Sequence, residues 1–387
     1  MRVLCFGRFC DAQPGGIQAH VQGLLTALRD QVEFVNLVPS RDFRGSRFLL
    51  PGGIPVIRTP SWNVDGSLAL SPGLVLEAWR QHRMRPFDLV HLHFPDPMSH
   101  LASMAIPARV PRLVTWHADV VRQQQLLRLY RPWLNRLLRQ AGAIVVATPA
   151  HFSSSPLLSG LDIQDKLQVI PFGFDLERFL EPDPRAFQIR NAHPGRLIFA
   201  LGRHVSYKGF DVLLQAMAAL DPDVRLLLGG EGPLTDALKG QAVALGLENR
   251  VVFLGLVPDE ELPAYYQACD VFCLPSVTQA EAFGIVQVEA MAAGRPVVST
   301  RLNNGVDFVN QHGVTGLCVP PGDSAALAQA LSHLLNQEEL RREMGACGRR
   351  RALAEFQLEQ MGDRTLALYQ RLVADSVARG RHPVRPQ

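Results

Sequence analysis

Short apolar runs alternate with longer amphipathic stretches along this chain, and that alternation restricts the fold more than any other feature. VLCFG (3–7), VEFVNLV (32–38), DLVHLH (88–93), RLVTWH (112–117) and AIVVAT (143–148) have the length and content of strands buried on both faces. Helical patterns such as IQAHVQGLLTALRD (17–30) lie between several of them. This order predicts a parallel sheet covered by helices on both sides. The rhythm stops near Val169, and residues 171–195, rich in proline and charge, read as a linker. It restarts with RLIFALG (196–202), FDVLLQAMAAL (210–220) and RLLLGG (225–230), then RVVFLG, VFCLP, PVVST and GLCVP. From Ser324 to about Val377 the pattern is helical, and residues 378–387 read as a tail.

The expected architecture is α/β, with two Rossmann-like doubly wound domains facing each other across a cleft. The first spans 1–170. The second spans 196–377, and its last helix is able to return to the first domain. Open sheets of this kind bind ligands at the carboxyl ends of their strands, so the cleft is the expected site. A length of 387 residues agrees with two domains at roughly 150 residues each.

Composition excludes several classes. The chain is 47% apolar and 19% charged, which argues against wholesale disorder. A net charge of +3 is too small for a general nucleic-acid binder. No run reaches the ~18 apolar residues of a membrane span, and the N-terminus lacks a signal-peptide pattern. Cys5, Cys10, Cys269, Cys273, Cys318 and Cys347 form no CxxC pair, so a reduced cytoplasm is expected. Charge divides unevenly: residues 1–170 carry 18 Lys and Arg against 11 Asp and Glu. Only Lys166, Lys208 and Lys239 are lysines among the 39 basic residues.

The chemistry concentrates after two strands of the second half. In SVTQAEAFGIVQVEAMAAG (276–294), a helix is expected to begin near Phe283. The N–H groups of Phe283, Gly284 and Ile285 then form a first turn able to receive a phosphate. Glu289 sits among apolar helix residues, where a carboxylate needs a partner. Glu281 precedes the helix. The bland alternative makes Glu281 a capping residue and pairs Glu289 with a structural arginine. In GRHVSYKGF (202–210), Arg203 and Lys208 follow a strand with Gly202 and Gly209 beside them, an arrangement that suits a diphosphate, the bland alternative being two solvated loop cations. Lysine being scarce, Lys208 marks a place where a compact ammonium is preferred to a guanidinium.

The first half offers Gly15 and Gly16 in PGGIQAH (14–20), where a ligand can approach the backbone. His91 and His93 share one strand face, and His117 ends the next strand. These strand-end histidines read as substrate-binding or as polar core, with zinc helped by Asp96 or Asp119 as the sharper alternative. Asp221 and Asp223 flank a proline, as in metal-dependent sugar transferases, but lie away from the ligand edge; no metal is expected. Arg41, Arg44 and Arg47 in RDFRGSRFLLPGG, and the arginine-rich stretch 120–140, read as contacts for an acceptor or an anionic membrane, or as a solvated helix face.

Together these residues resemble the GT-B-fold retaining glycosyltransferases of family 4, over nearly the whole chain. The resemblance rests on Glu281–x7–Glu289 around AFGI, on the Arg203 and Lys208 spacing, and on GGEGP (229–233) and PFGFD (171–175). It implies that Arg203 and Lys208 bind the donor diphosphate and assist its departure. Glu289 would bind the ribose, and Glu281 the transferred sugar. Phe283, Gly284 and Ile285 would meet phosphate or sugar, and Gly16 the diphosphate and acceptor. His117 would contact the donor sugar. Gln18 departs from the Glu of many relatives. HLHFPDP and TWHAD look most like bacterial mannosyl- and rhamnosyl-type transferases of surface polysaccharide assembly, using a GDP-sugar rather than a UDP-sugar. The partners implied are a nucleotide-sugar donor and a lipid-linked or saccharide acceptor. An epimerase or phosphorylase on the same architecture, or a non-catalytic carbohydrate- or membrane-binding partner, is the alternative.

Overall fold

The computed structural model describes residues 1–7, 16–40, 43–50, 53–63, 69–117, 124–153 and 155–380. The chain divides into two compact units, Met1–Phe174 with Leu358 onward, and Asp175–Gln357.

The first unit runs β1 (Arg2–Phe6), α1 (Gly16–Ala27), β2 (Glu33–Pro39), β3 (Ser46–Leu50), β4 (Ile54–Thr59), and the small hairpin β5 (Trp62–Asn63) and β6 (Ala69–Leu70). It continues through α2 (Pro72–Met84), β7 (Leu89–Phe94), α3 (Pro97–Ser103), β8 (Arg112–Trp116), α4 (Gln124–Gln140), β9 (Ala143–Val146), α5 (Pro149–Ser153) and β10 (Leu167–Val169). The strand order is β10-β9-β8-β7-β1-β2-β4-β3. All pairs in it are parallel except β3 with β4. β3 is the one departure from the parallel sheet read in the sequence: it pairs antiparallel with β4, and the three residues between the two strands are too few for a crossover helix.

Strand residues alternate between two cores, as a period of two requires. Leu4, Phe6, Val90, Leu92, Val114 and Trp116 face one side, with α2, α3 and α4. Val3, Cys5, Leu89 and Leu113 face the other, against α1 and a C-terminal helix of this unit, α14 (Leu358–Ala378). Cys5 is paired in register with His91, and His93 with Thr115. The second face therefore carries a line of polar groups into an apolar layer.

The second unit comprises α6 (Pro184–Ala192), β11 (Arg196–Leu201), α7 (Phe210–Ala218), β12 (Val224–Gly229), α8 (Thr235–Ala244), β13 (Val251–Gly255), α9 (Leu262–Ala268), β14 (Val271–Leu274) and α10 (Ile285–Ala292). β15 (Val297–Thr300), α11 (Gly305–Val309), β16 (Gly316–Val319), α12 (Ser324–Leu335) and α13 (Glu338–Glu355) complete it. Its sheet is wholly parallel, in the order β13-β12-β11-β14-β15-β16. Residues 171–195, which composition reads as a linker, contain α6. The proline and acid that suggested a linker start this helix: Asp183 caps it by accepting from Arg185 N, and Pro184 occupies its first turn. Asp221 and Asp223 grip Arg196, whose guanidinium meets Asp221 at 2.8 Å, so the acidic pair is already matched by a cation.

Both sheets reverse their winding, between β1 and β7 in the first and between β11 and β14 in the second. At such a point neighbouring loops leave in opposite directions and open a crevice at the carboxyl edge. In the second unit the two loops are tied together. Val277 N donates to Tyr207 O at 2.8 Å. Gly209, in the left-handed region at φ 66°, brings its backbone so near the other loop that a Cβ there would lie 2.2 Å from Pro275 O. Gly209→Ala is expected to lose at least ~1 kcal/mol, from the left-handed conformation alone, and to move the loop that carries Glu281. A urea unfolding midpoint equal to that of the parent chain would contradict this.

Candidate active site

The crevice of the second unit is built from two loops. After β11, a single 3-10 turn (Ser206–Lys208) aims Lys208 back toward the sheet. After β14, the chain runs through Ser276 to Glu281 before α10 begins. Lys208 Nζ donates to Glu281 Oε2 at 2.6 Å, and Ser276 Oγ donates to the same oxygen at 2.9 Å. The two charged side chains are only 10% and 11% exposed. The stem of Lys208 lies against Gly202, where a Cβ would sit 3.3 Å from Nζ. Asn304, N-cap of α11, donates to Glu281 O at 2.6 Å and fixes the loop from beneath.

The helix begins at Ile285, two residues later than the sequence suggests, because Gly284 at φ 71° serves as its N-cap. Phe283 is buried in front of it, and within the first turn Gln287 N donates to Gly284 O at 3.0 Å. Glu289, one turn on, accepts from Tyr266 OH at 2.7 Å and lies 3.8 Å from an Arg178 guanidinium nitrogen. Burial raises the pKa of this carboxyl above the ordinary range, partly offset by Tyr266 and Arg178. Glu289 thus has the arginine partner of the bland reading, and a tyrosine besides. Arg203 is exposed, and no ion pair among the described residues holds it.

In the first unit, His117 follows β8 and is 6% exposed. Its Nε2 is 3.0 Å from His93 Nδ1, and its ring stacks on Phe172 at 5.4 Å. His20 of α1 meets the same group, with ring centroids 4.9 Å from His117 and 5.7 Å from His93. His91 is satisfied at both nitrogens, by Tyr369 OH at 2.6 Å and Thr115 Oγ1 at 2.7 Å. Among the described residues two groups have mutually close ligand atoms: Cys5 with His91 and His93, and His20 with His93 and His117. Asp96 belongs to neither. It caps α3, accepting from Met98 N at 3.1 Å and Ser99 N at 3.3 Å, so the carboxylate that the zinc alternative would use is already engaged. Asp119, Gly15 and Arg41 lie outside the described residues.

Gly16 opens α1. Arg44 is exposed, and Arg47, on the edge strand β3, pairs with Glu77 at 2.9 Å. In α4 the leucines Leu134, Leu137 and Leu138 are buried, whereas Leu129 and Trp133 stand exposed beside Arg128, Arg131 and Arg136. Among the described residues no helix is long and apolar enough to cross a membrane.

His20, Ser276, Tyr266 and Asn304 were missed in the sequence. His20 had one signal, its position four residues after Gly16 and hence on the same helix face. Tyr266 and Asn304 left none, because each meets its glutamate 23 residues away, and Ser276, five residues before Glu281, was hidden by the turn that brings the two together.

Burial pushes the pKa of His20 down to about 4, and that of His91 down to about 3 with help from His20. His93 is lowered well below 6.5 for the same reason. The unfolded chain takes up protons at these rings below pH 6.5 while the folded chain does not, so stability is lost as pH falls. Between pH 7 and pH 5 the expected loss is about 2 kcal/mol for each of His20 and His91. Urea unfolding at the two pH values measures it, and His20→Gln should show a smaller difference. An equal difference in that variant would refute the assignment.

Comparison with known proteins identifies the family and the fold. Residues 14–178 match the family model "Glycosyltransferase Family 4", and residues 184–351 match "Glycosyl transferases group 1". The D-rhamnosyltransferase WbpZ of Pseudomonas aeruginosa is 37% identical over 71% of this chain and 72% of its own length. The O-antigen chain mannosyltransferase C of Escherichia coli is 33% identical over 74% and 76%. The phosphatidyl-myo-inositol mannosyltransferase of Mycobacterium leprae is 32% identical over 87% of both chains. Among solved structures, sucrose-phosphate synthase from Thermosynechococcus elongatus shares the fold with a TM-score of 0.77 at 24% identity, covering 97% of this chain and 99% of that one. HepE from Anabaena, in complex with UDP, gives 0.77 at 23% identity, covering 96% and 100%. Two doubly wound sheets and these relatives place the chain among the GT-B-fold glycosyltransferases, as a member of family 4.

Proposed function

We propose that this glycosyltransferase moves a mannose- or rhamnose-type hexose from a GDP-sugar to a hydroxyl of a lipid-linked or saccharide acceptor, in the assembly of cell-surface polysaccharide. The anomeric configuration is retained and no metal is required. The observation that carries this reading is the buried Lys208–Glu281 pair at the crevice of the second sheet. A lysine and a carboxylate held there cost desolvation that packing alone does not require. The names of the three similar enzymes, two mannosyltransferases and a rhamnosyltransferase, support the sugar.

In this reading Lys208 and Arg203 hold the donor diphosphate and neutralise the charge that grows on it as the bond to the anomeric carbon breaks. The acceptor oxygen attacks from the face that the diphosphate leaves, and its proton passes to a diphosphate oxygen. Glu281 receives hydroxyls of the transferred sugar, with Ser276 and Lys208 fixing its carboxylate. Glu289 receives the ribose, its carboxylate oriented by Tyr266. The N–H groups of Phe283, Gly284 and Ile285 receive phosphate or sugar. His117 contacts the donor sugar, and Gly16 the diphosphate and acceptor. Arg41, Arg44 and Arg47 serve the acceptor or an anionic surface at the inner face of the cell membrane.

Thermal-shift titration with GDP- and UDP-sugars tests the donor, because a ligand that binds only the folded state raises its stability. Lys208→Ala and Glu281→Gln should each lower kcat by at least ~10²-fold. Lys208→Arg keeps the charge, but a planar guanidinium does not fit the slot against Gly202, so this variant should lose most activity as well. Near-normal transfer by any of the three, once shown to be folded, would remove these roles. Transfer that survives exhaustive chelation, with a product of unchanged anomeric configuration by NMR, is the expected outcome for mechanism.

A further inference from the structure

His20 Nδ1 is buried and has no hydrogen-bond partner, although it stands beside the pair formed by His93 and His117. A buried ring nitrogen left in this way is costly unless something satisfies it. Each of His20, His93 and His117 offers a nitrogen within 4.8 Å of the other two. We propose that His20, His93 and His117 form a binding site for a divalent transition-metal ion that prefers imidazole nitrogen, such as Zn²⁺, in the first unit of this enzyme.

The geometry needs little adjustment. Three nitrogens about 2.0–2.1 Å from a tetrahedral ion stand about 3.3 Å apart. His93 Nδ1 and His117 Nε2 are already 3.0 Å apart. The remaining separations close by at most about 1.5 Å, within reach of small ring rotations. Burial keeps His20 and His93 neutral, the form in which the lone pair is free. In the metal-bound form each ring carries its hydrogen on the nitrogen away from the ion, so no proton is lost or gained. For His93 that nitrogen is Nε2, which lies 3.6 Å from Cys5 Sγ, an outer-sphere acceptor that fixes the ring. His20 and His117 keep 8% and 6% of their surface exposed, so the cluster reaches the surface at these two rings.

The other close group, Cys5 with His91 and His93, is the poorer site. Both nitrogens of His91 are engaged already. Burial pushes the Cys5 thiol up to about 12, away from the thiolate that a metal requires.

The purified full chain, stripped with a chelator, is titrated with Zn²⁺ alone by calorimetry and with Co²⁺ by visible absorption. One ion per chain is expected, with a cobalt spectrum free of thiolate charge transfer. His20→Gln and His93→Gln should each weaken binding by at least ~10-fold, and Cys5→Ala by less than either, all with melting curves that confirm folding. The absence of stoichiometric binding to the parent chain would overturn the site, as would a thiolate band or unchanged affinity in His20→Gln. Because His117 is a ligand, the bound ion should also slow sugar transfer, with recovery on chelation. That consequence rests on the role proposed for His117. Binding without slowing would remove that role and leave the metal site standing.

Discussion

A parallel strand covered on both faces has nowhere to place polar chemistry except its ends, because an isolated polar group in either layer is costly. The alternation of Val3 and Cys5 with Leu4 and Phe6 shows how completely both layers are committed here. Polar groups therefore gather where the strands end, and most easily where the winding reverses. Lys208 and Glu281 stand at that place in the second sheet, on loops that leave adjacent strands β11 and β14. The same rule makes the first sheet exceptional. His91 and His93 interrupt an apolar face two residues apart, and each is accommodated only through another side chain.

The two glutamates of the second unit sit eight residues apart yet have opposite surroundings. Glu281 is held by a full positive charge and a hydroxyl, with its backbone carbonyl tied to Asn304. Glu289 has a neutral phenol at hydrogen-bond distance and a guanidinium only at 3.8 Å. Burial accordingly raises the Glu289 carboxyl and raises the Tyr266 phenol well above 10. Such a carboxyl is suited to orienting neutral hydroxyls, whereas a carboxylate paired with an ammonium shares its site with any anion drawn to that ammonium. One motif thus holds two carboxyls in chemically different surroundings.

The β-α rhythm was legible because burial on both faces leaves an unbroken apolar run in the sequence. The Glu281, Glu289 and Lys208 set was legible for the converse reason, since charges in apolar or glycine-rich company stand out. What escaped depended on contacts between distant residues. Tyr266 reads as one more apolar residue of α9 until its hydroxyl meets Glu289. Asp96 enters the zinc alternative as a carboxylate near the strand-end histidines in sequence, whereas its bonds to Met98 and Ser99 depend on where α3 starts. The antiparallel β3 escaped because a single edge strand carries no period different from that of its parallel neighbours.

The scarcity of lysine acquires a physical basis from what the arginines do. Arg112 donates to the carbonyls of Ser103, Ile106 and Val110, and Arg250 to those of Leu220, Asp221 and Val224. Arg341 binds the last carbonyls of α12, at Leu334 and Leu335, and Arg351 those of Phe308 and Val309. Each uses the breadth of a guanidinium to satisfy two or three backbone acceptors at once, which an ammonium on a flexible stem does poorly. Elsewhere Lys239 lies over the Phe253 ring and Lys166 donates to a single carbonyl, that of Arg139. Lys208 is different: it is buried, meets one carboxylate and fits a slot bounded by the backbone of Gly202. A fork of five donors there would leave several unpaired, and a buried unpaired donor costs about 1–3 kcal/mol. The preference for arginine and its exception at Lys208 therefore follow from one principle, the matching of donor number to the acceptors that burial leaves in reach.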